Sequence, residues 1–310
     1  MTIVPLSIDE ALIARHASHQ DGDVEDRVFT MAAGDGRCLA LLHRPVRTGV
    51  ADLGFVVCHS YGEEFQNLRR LERSVARAIA ARGFPVLRFD RRGYGDSTGS
   101  LAGITLEGEV DDTRAAAARL TEETAVVRVG LIGARFGALV AGLLAREGGV
   151  DKLLLMNPAL QGQRYVNDLI KQMRIAQLTP GAPAPTKRFR EHLQELSTEG
   201  MLNVIGYPLY EHLYHAVSAV DLTEDIGSFS GDALVIHASK GSAVPRPYDD
   251  YRVRVEAAGG ACTIVRVAEP PGVTFGQAPY MATTDPVSRE YLYGPMAEQM
   301  SGVAARWVAG

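Results

Sequence analysis

Hydrophobic positions in this chain change period several times. Arg27–Ala32 and Arg37–His43 follow the two-residue rhythm of half-buried strands, and Gly34-Asp35-Gly36 between them is a turn signal, so the pair predicts an antiparallel hairpin. Beyond it, compact apolar runs at Phe55–Cys58, Pro85–Phe89, Val127–Ile132 and Leu153–Met156 alternate with segments at helical spacing. The first of these segments carries Leu68, Leu71, Val75 and Ile79 and stops at Gly83; Leu106–Leu120 and Phe136–Arg146 are the next two. Such alternation predicts parallel β-α-β units. After Asn157-Pro158 it breaks. Residues 160–228 read as mostly helical, with a hinge at Pro180–Pro185. The pattern resumes with a strand at Ala233–His237, a helix at Tyr248–Ala258, a strand at Thr263–Val267 and a last helix at Val287–Val308. The expected architecture is a mostly parallel sheet flanked by helices. Its core is 1–159 with 229–310, and 160–228 forms a helical lid insertion over the carboxyl edge of the strands, where open sheets bind ligands.

Composition narrows the function classes without choosing among them. The 310 residues are 46% hydrophobic and 22% charged, ordinary for a globular chain. A net charge of -5 gives no general attraction to nucleic acid or anionic membrane. Cys38, Cys58 and Cys262 lie far apart without metal-type spacing, which argues against a disulfide framework or a zinc site. No run approaches about 18 uninterrupted apolar residues, and the N-terminus lacks a basic segment followed by an apolar one. A cytoplasmic protein with no membrane span, no cofactor and no metal is expected, acting on a small molecule; a homo-oligomer is compatible with this.

Three segments carry a family likeness. Val57-Cys58-His59-Ser60-Tyr61-Gly62 looks like a strand and turn that supply one oxyanion-hole amide. Phe89-Asp90-Arg91-Arg92-Gly93-Tyr94-Gly95-Asp96-Ser97-Thr98-Gly99 matches the D-x-R-G-x-G-x-S run, and Gly133-Ala134-Arg135-Phe136-Gly137 falls between strand and helix where G-x-S-x-G belongs. Together they resemble the α/β-hydrolase superfamily, in its serine-aminopeptidase-like branch. Glu63-Glu64, Asn67, Arg69-Arg70, Arg135, Asn157–Gly162 and Gly206–Leu209 give a narrower similarity to the exosortase A system-associated hydrolase 2 group, whose members also tend to carry arginine in the elbow. The resemblance implies an α/β-hydrolase fold with a lid, but it supplies no reaction.

The triad chemistry of that fold is missing from its expected places. It needs a nucleophile on the elbow, an acid after the seventh strand and a histidine after the last, in that chain order. Arg135 stands at the elbow, Ala238-Ser239-Lys240-Gly241-Ser242 at the acid position and Glu269-Pro270-Pro271-Gly272-Val273-Thr274-Phe275 in the histidine loop; the last histidine of the chain is His237. A guanidinium is no nucleophile, because it stays protonated. Arg135 is read instead as an anchor for an anionic substrate, beside a helix N-terminus. The oxyanion amides would come from Phe136 and from Ser60 or Tyr61. His59 with Glu63 or Glu64 is the acid–base candidate; the paired glutamates are alternatively read as neutralising Arg135, Arg69 or Arg70, and His237 is expected to line the pocket. The expected function is non-serine chemistry on an acyl- or carboxylate-containing small molecule. A catalytically inactive binding or accessory protein is the alternative. An ester or thioester hydrolase, or an acyltransferase, with Cys58 or Ser60 as a relocated nucleophile is a third. His212 and His215, one helical turn apart, lack a third metal ligand.

Overall fold

A computed structural model describes residues 18–46, 51–176, 187–271, 273–277 and 286–310. Its nine-stranded sheet has the order β1-β2-β3-β5-β4-β6-β7-β10-β11. β1 (Ser18–Asp21), β2 (Val24–Ala33) and β3 (Gly36–Pro45) form an antiparallel meander, and β3 joins β5 (Val86–Asp90) antiparallel. From β5 onward, β4 (Leu53–Cys58), β6 (Arg128–Ala134), β7 (Lys152–Met156), β10 (Asp232–Ser239) and β11 (Ala261–Ala268) run parallel. The strand order turns back at β4, between β5 and β6. Crevices at the carboxyl ends of strands beside such a switch point are where open α/β sheets bind ligands.

Helices cover both faces. α1 (Glu63–Ala80) turns Leu68, Leu71, Val75 and Ile79 onto one face of the sheet, where α8 (Pro286–Ala309) adds Met296, Met300, Ala304 and Val308. These four lie at successive four-residue steps, the spacing that keeps one helix face inward. α2 (Leu106–Thr124), started by the Thr105 side chain accepting from the Gly108 N–H at 3.0 Å, covers the other face with α3 (Phe136–Arg146). α7 (Arg246–Ala257) connects β10 to β11.

Residues between β7 and β10 contain α4 (Gly162–Ala176), α5 (Phe189–Glu199), the hairpin β8 (Met201–Val204) and β9 (Tyr207–Tyr210), and α6 (Glu211–Ser218). The segment is therefore helical with a two-stranded hairpin, which the apolar spacing alone did not predict. The expected hinge at Pro180–Pro185 lies outside the described residues. Departing and returning chain run side by side: Gln161 bridges Asp221, the Gly162 N–H donates to the Val220 carbonyl at 2.8 Å, and the Leu222 N–H donates to the Leu160 carbonyl at 2.8 Å.

Candidate functional site

The site is built on the turn between β6 and α3. Arg135 occupies it with φ 51° and ψ −116°, a conformation that costs a non-glycine residue about 1–3 kcal/mol and persists only where neighbours enforce it. The Arg135 N–H donates to the Met156 carbonyl at 3.1 Å, and its carbonyl accepts from Ala138 and Ala159, each at 3.1 Å. Close packing explains the flanking glycines. A Cβ at Gly137 would stand 1.9 Å from the Cys58 carbonyl oxygen, and one at Gly133 would stand 2.5 Å from the Ala138 backbone. This tight strand-to-helix turn, here called the elbow, carries an arginine side chain.

That side chain enters an ion pair. Arg135 Nε donates to Glu64 Oε1 at 2.8 Å, and the Tyr165 hydroxyl donates to Glu64 Oε2 at 2.8 Å. Glu64 belongs to the first turn of α1 and is buried, Tyr165 to α4, and the guanidinium lies 5.5 Å from the Tyr165 ring centroid. Burial works against the charge on Arg135, but Glu64 outweighs it and raises the arginine above its ordinary range. Arg135 also lines a cavity of about 120 Å³ whose wall includes Arg164, Tyr165, Tyr248 and the prolines 158, 245 and 247. Burial pushes the Tyr248 phenol up to about 12, although Arg135 and Arg164 pull it the other way.

The loop after β4 is clamped to the elbow. Ser60 Oγ donates to the Ala134 carbonyl at 2.8 Å, while Arg91 donates to the carbonyls of His59 and Ser60, each at 2.7 Å. Tyr61 is buried against Phe136, with ring centroids 5.6 Å apart, and its hydroxyl donates to the Pro208 carbonyl. Phe136 opens α3, so its N–H is one of the helix's orphan donors.

His59 is not where the spacing suggested. Its Nδ1 pairs with Glu72, both side chains are buried, and the ring meets Phe65 edge-on at 5.5 Å. It borders a different cavity, of about 140 Å³, with Arg69, Arg88 and Asp90. The expected partnership of His59 with Glu63 or Glu64 is thus corrected. α1 begins at Glu63, and its first turn aims Glu64 at the elbow; Glu72, two turns further, faces the sheet between Leu71 and Val75. Glu63 itself stays half-buried at the helix start.

The loop after β11 reaches the elbow at Gly276. A Cβ on Gly276 would lie 3.4 Å from Glu64 Oε1 and 3.6 Å from Arg135 Cγ, and the Gly276 carbonyl accepts from Asn67 Nδ2 at 3.3 Å. Glu269 Oε1 accepts from the Phe275 N–H at 2.8 Å and folds the loop on itself. After β10, Arg266 Nη1 donates to the Gly241 carbonyl at 3.3 Å.

Residues 51–218, more than half of the chain, match the family model described as serine aminopeptidase, S33. The chain belongs to that family. No curated protein matches it. Among solved structures it is similar to Est1E from Butyrivibrio proteoclasticus, at 15% identity and a TM-score of 0.58 over 91% of this chain and 97% of that one. An esterase of Pyrococcus furiosus follows at 16% identity and a TM-score of 0.57, over 92% and 91%. A proline iminopeptidase of Mycobacterium smegmatis has 15% identity and a TM-score of 0.53, over 89% and 99%. These likenesses establish the α/β-hydrolase fold.

Other side chains of this serine aminopeptidase S33 member are accounted for individually. Burial pushes the Cys58 thiol up to about 12, so it is no ready thiolate, and the Ser60 hydroxyl is committed to Ala134. His237 is buried on β10, edge-on to Tyr248 at 5.3 Å; burial lowers its pKa, and its Nδ1 has no partner among the described residues. His212 meets the Ile104 carbonyl at 2.8 Å, whereas His215 pairs with Glu211 at 3.6 Å. Among the described residues, no three His, Cys, Asp or Glu side chains gather as a metal site, and no helix is long and apolar enough to cross a membrane. Sequence spacing had marked Tyr165 only as one of the apolar residues at helical spacing in 160–228, and had not singled out Tyr248 or Glu72. Of these two, only Glu72 left a trace, as a carboxylate set within the apolar stripe of α1.

Proposed function

We propose that this protein binds a small acyl- or carboxylate-bearing molecule at Arg135 and does so without serine-hydrolase chemistry. The observation that carries this is the elbow arginine, fixed by Glu64 at 2.8 Å and bordering a small cavity. An arginine held in one orientation presents planar donors suited to a carboxylate. Residues 160–228 act in this reading as a lid, with Tyr165, Leu169, Met173 and Leu213 buried in the apolar cluster beneath it. The triad is read as lost, which agrees with the narrower likeness to the exosortase-associated group. His59 faces Glu72 and another cavity, so a binding or accessory protein of a small-molecule pathway is the leading form of the reading. Turnover by non-serine chemistry has Glu64 in its favour, a carboxylate that touches both Arg135 and a phenol and so sits where a proton could be exchanged.

Two measurements test the proposal. A fluorophosphonate probe should leave the protein unlabelled; stoichiometric labelling at one residue would reveal a working nucleophile. Propionate binding, followed by calorimetry, should weaken by roughly 2–5 kcal/mol when Arg135→Ala is added to a Glu64→Gln background, where no buried carboxylate is left unpaired. Unchanged binding would remove Arg135 from the site.

A further inference from the structure

We infer that Glu64 sets the charge selectivity of the Arg135 cavity, restricting it to short monocarboxylates and excluding dianions. This rests on the reading of Arg135 as the anion anchor. Glu64 is 2% exposed, and each of its oxygens already accepts one hydrogen bond, from Arg135 Nε and from the Tyr165 hydroxyl. These two contacts hold its carboxyl group beside the guanidinium.

A guanidinium has two edges that can take a carboxylate bidentately, one using Nε and one Nη, the other using both Nη nitrogens. Glu64 takes Nε. Among the described residues neither Nη has a hydrogen-bond partner; the side chain keeps 20% of its surface exposed and lines the cavity. What remains is a single end-on edge, sized for one carboxylate.

The second cation at the cavity, Arg164, is exposed, and its acidic neighbour Asp168 is shared with Lys171, whose Nζ lies 2.9 Å from Asp168 Oδ1. Arg164 lies 4.0 Å from Asp168, and both border the cavity. At the anchor itself the arginine is matched by Glu64, so an arriving ligand meets oriented donors beside a fixed carboxylate. A monocarboxylate gains the bidentate contact and places its short body against Pro158, Leu160, Pro245 and Pro247. A dicarboxylate gains the same contact, but its second charge must lose water beside Glu64 or Asp168, at the cost of an unpaired charge near a like one. A volume of about 120 Å³ is filled by a few-carbon body.

The test is calorimetric titration of propionate and succinate into the wild type, Glu64→Gln and Asp168→Asn at pH 7.5. Asp168 is partly exposed, so its variant gives a reading even where Glu64→Gln folds poorly. The wild type is expected to take propionate at least tenfold more tightly than succinate. Each substitution should narrow that ratio about tenfold, chiefly by strengthening succinate binding. A propionate-to-succinate ratio unchanged in both variants, with propionate binding still dependent on Arg135, would overturn the inference and leave the anchor standing. Absence of propionate binding to every form would overturn both.

Discussion

At Arg135 a long charged side chain sits on a backbone conformation that disfavours any side chain, and Glu64 is what holds the charged end. The pair is mostly buried, with 20% and 2% of the side chains exposed. Removing the arginine alone leaves a carboxylate in the interior, so Arg135→Ala should lower unfolding free energy in urea by about 3–5 kcal/mol, and adding Glu64→Gln should restore part of it. A single variant as stable as the wild type would mean that Glu64 finds another partner. The arginine itself was readable from the chain, since Gly133 and Gly137 frame the turn. Glu64 was one of two carboxylates the sequence offered to neutralise it, but the Tyr165 contact was not legible, because Tyr165 is 101 residues away from Glu64 and brought close only by the fold. His59 shows the opposite difficulty. Glu63 and Glu64 are its neighbours in sequence, yet helical geometry carries them past it and delivers Glu72 instead.

Elements meet here with little tolerance. α3 begins so near the end of β4 that a methyl at Gly137 would penetrate the Cys58 carbonyl. Gly137→Ala should therefore cost about 3 kcal/mol or more in a urea melt, and a near-neutral result would require α3 to slide along its axis. α4 meets α1 through one phenol. Tyr165→Phe strands a buried Glu64 oxygen and should cost about 1–3 kcal/mol. Tyr214→Phe, whose hydroxyl meets Gln163 and Asn167 near the surface, should cost within about 0.5 kcal/mol. Equal losses would show that the phenol at 165 contributes packing alone. Elements with one clear period were legible: Phe136–Arg146 has the same bounds in sequence and structure, and the parallel strands differ only at their ends. β1 escaped because all four of its residues are exposed, leaving no alternation to see. The β8–β9 hairpin escaped because its strands are four residues long and one contains Pro208, which disfavours a strand reading; the tight Ile205-Gly206 turn was its usable signal.

Over the whole molecule, buried histidines link folding to pH. Burial lowers the pKa of His43, against the pull of Asp26 2.6 Å away, and also that of His237. In the unfolded chain both rings take a proton near pH 6.5, at about their ordinary value. In the native state they resist protonation to lower pH, so the unfolded state binds more protons in that interval. Their contribution is complete above pH 6.5 or so and is lost as pH falls below it. His237→Phe keeps a ring against Tyr248 and removes one of the two titrations. Its urea midpoint should therefore fall less than the wild type's between pH 7 and pH 5, and parallel curves would assign the loss elsewhere.

The paired backbone at Gln161 and Asp221 has a consequence for how this chain tolerates change. Because departing and returning strands are zipped together at the sheet, the span of chain between them is a closed loop whose ends are already joined. Lengthening such a loop costs only a logarithmic entropy increment, about 0.6 kcal/mol per doubling. The sheet would register almost none of it. The segment between Gln161 and Asp221 is therefore an exchangeable cassette, free to be resculpted while the strands of the sheet keep every rung of their ladder.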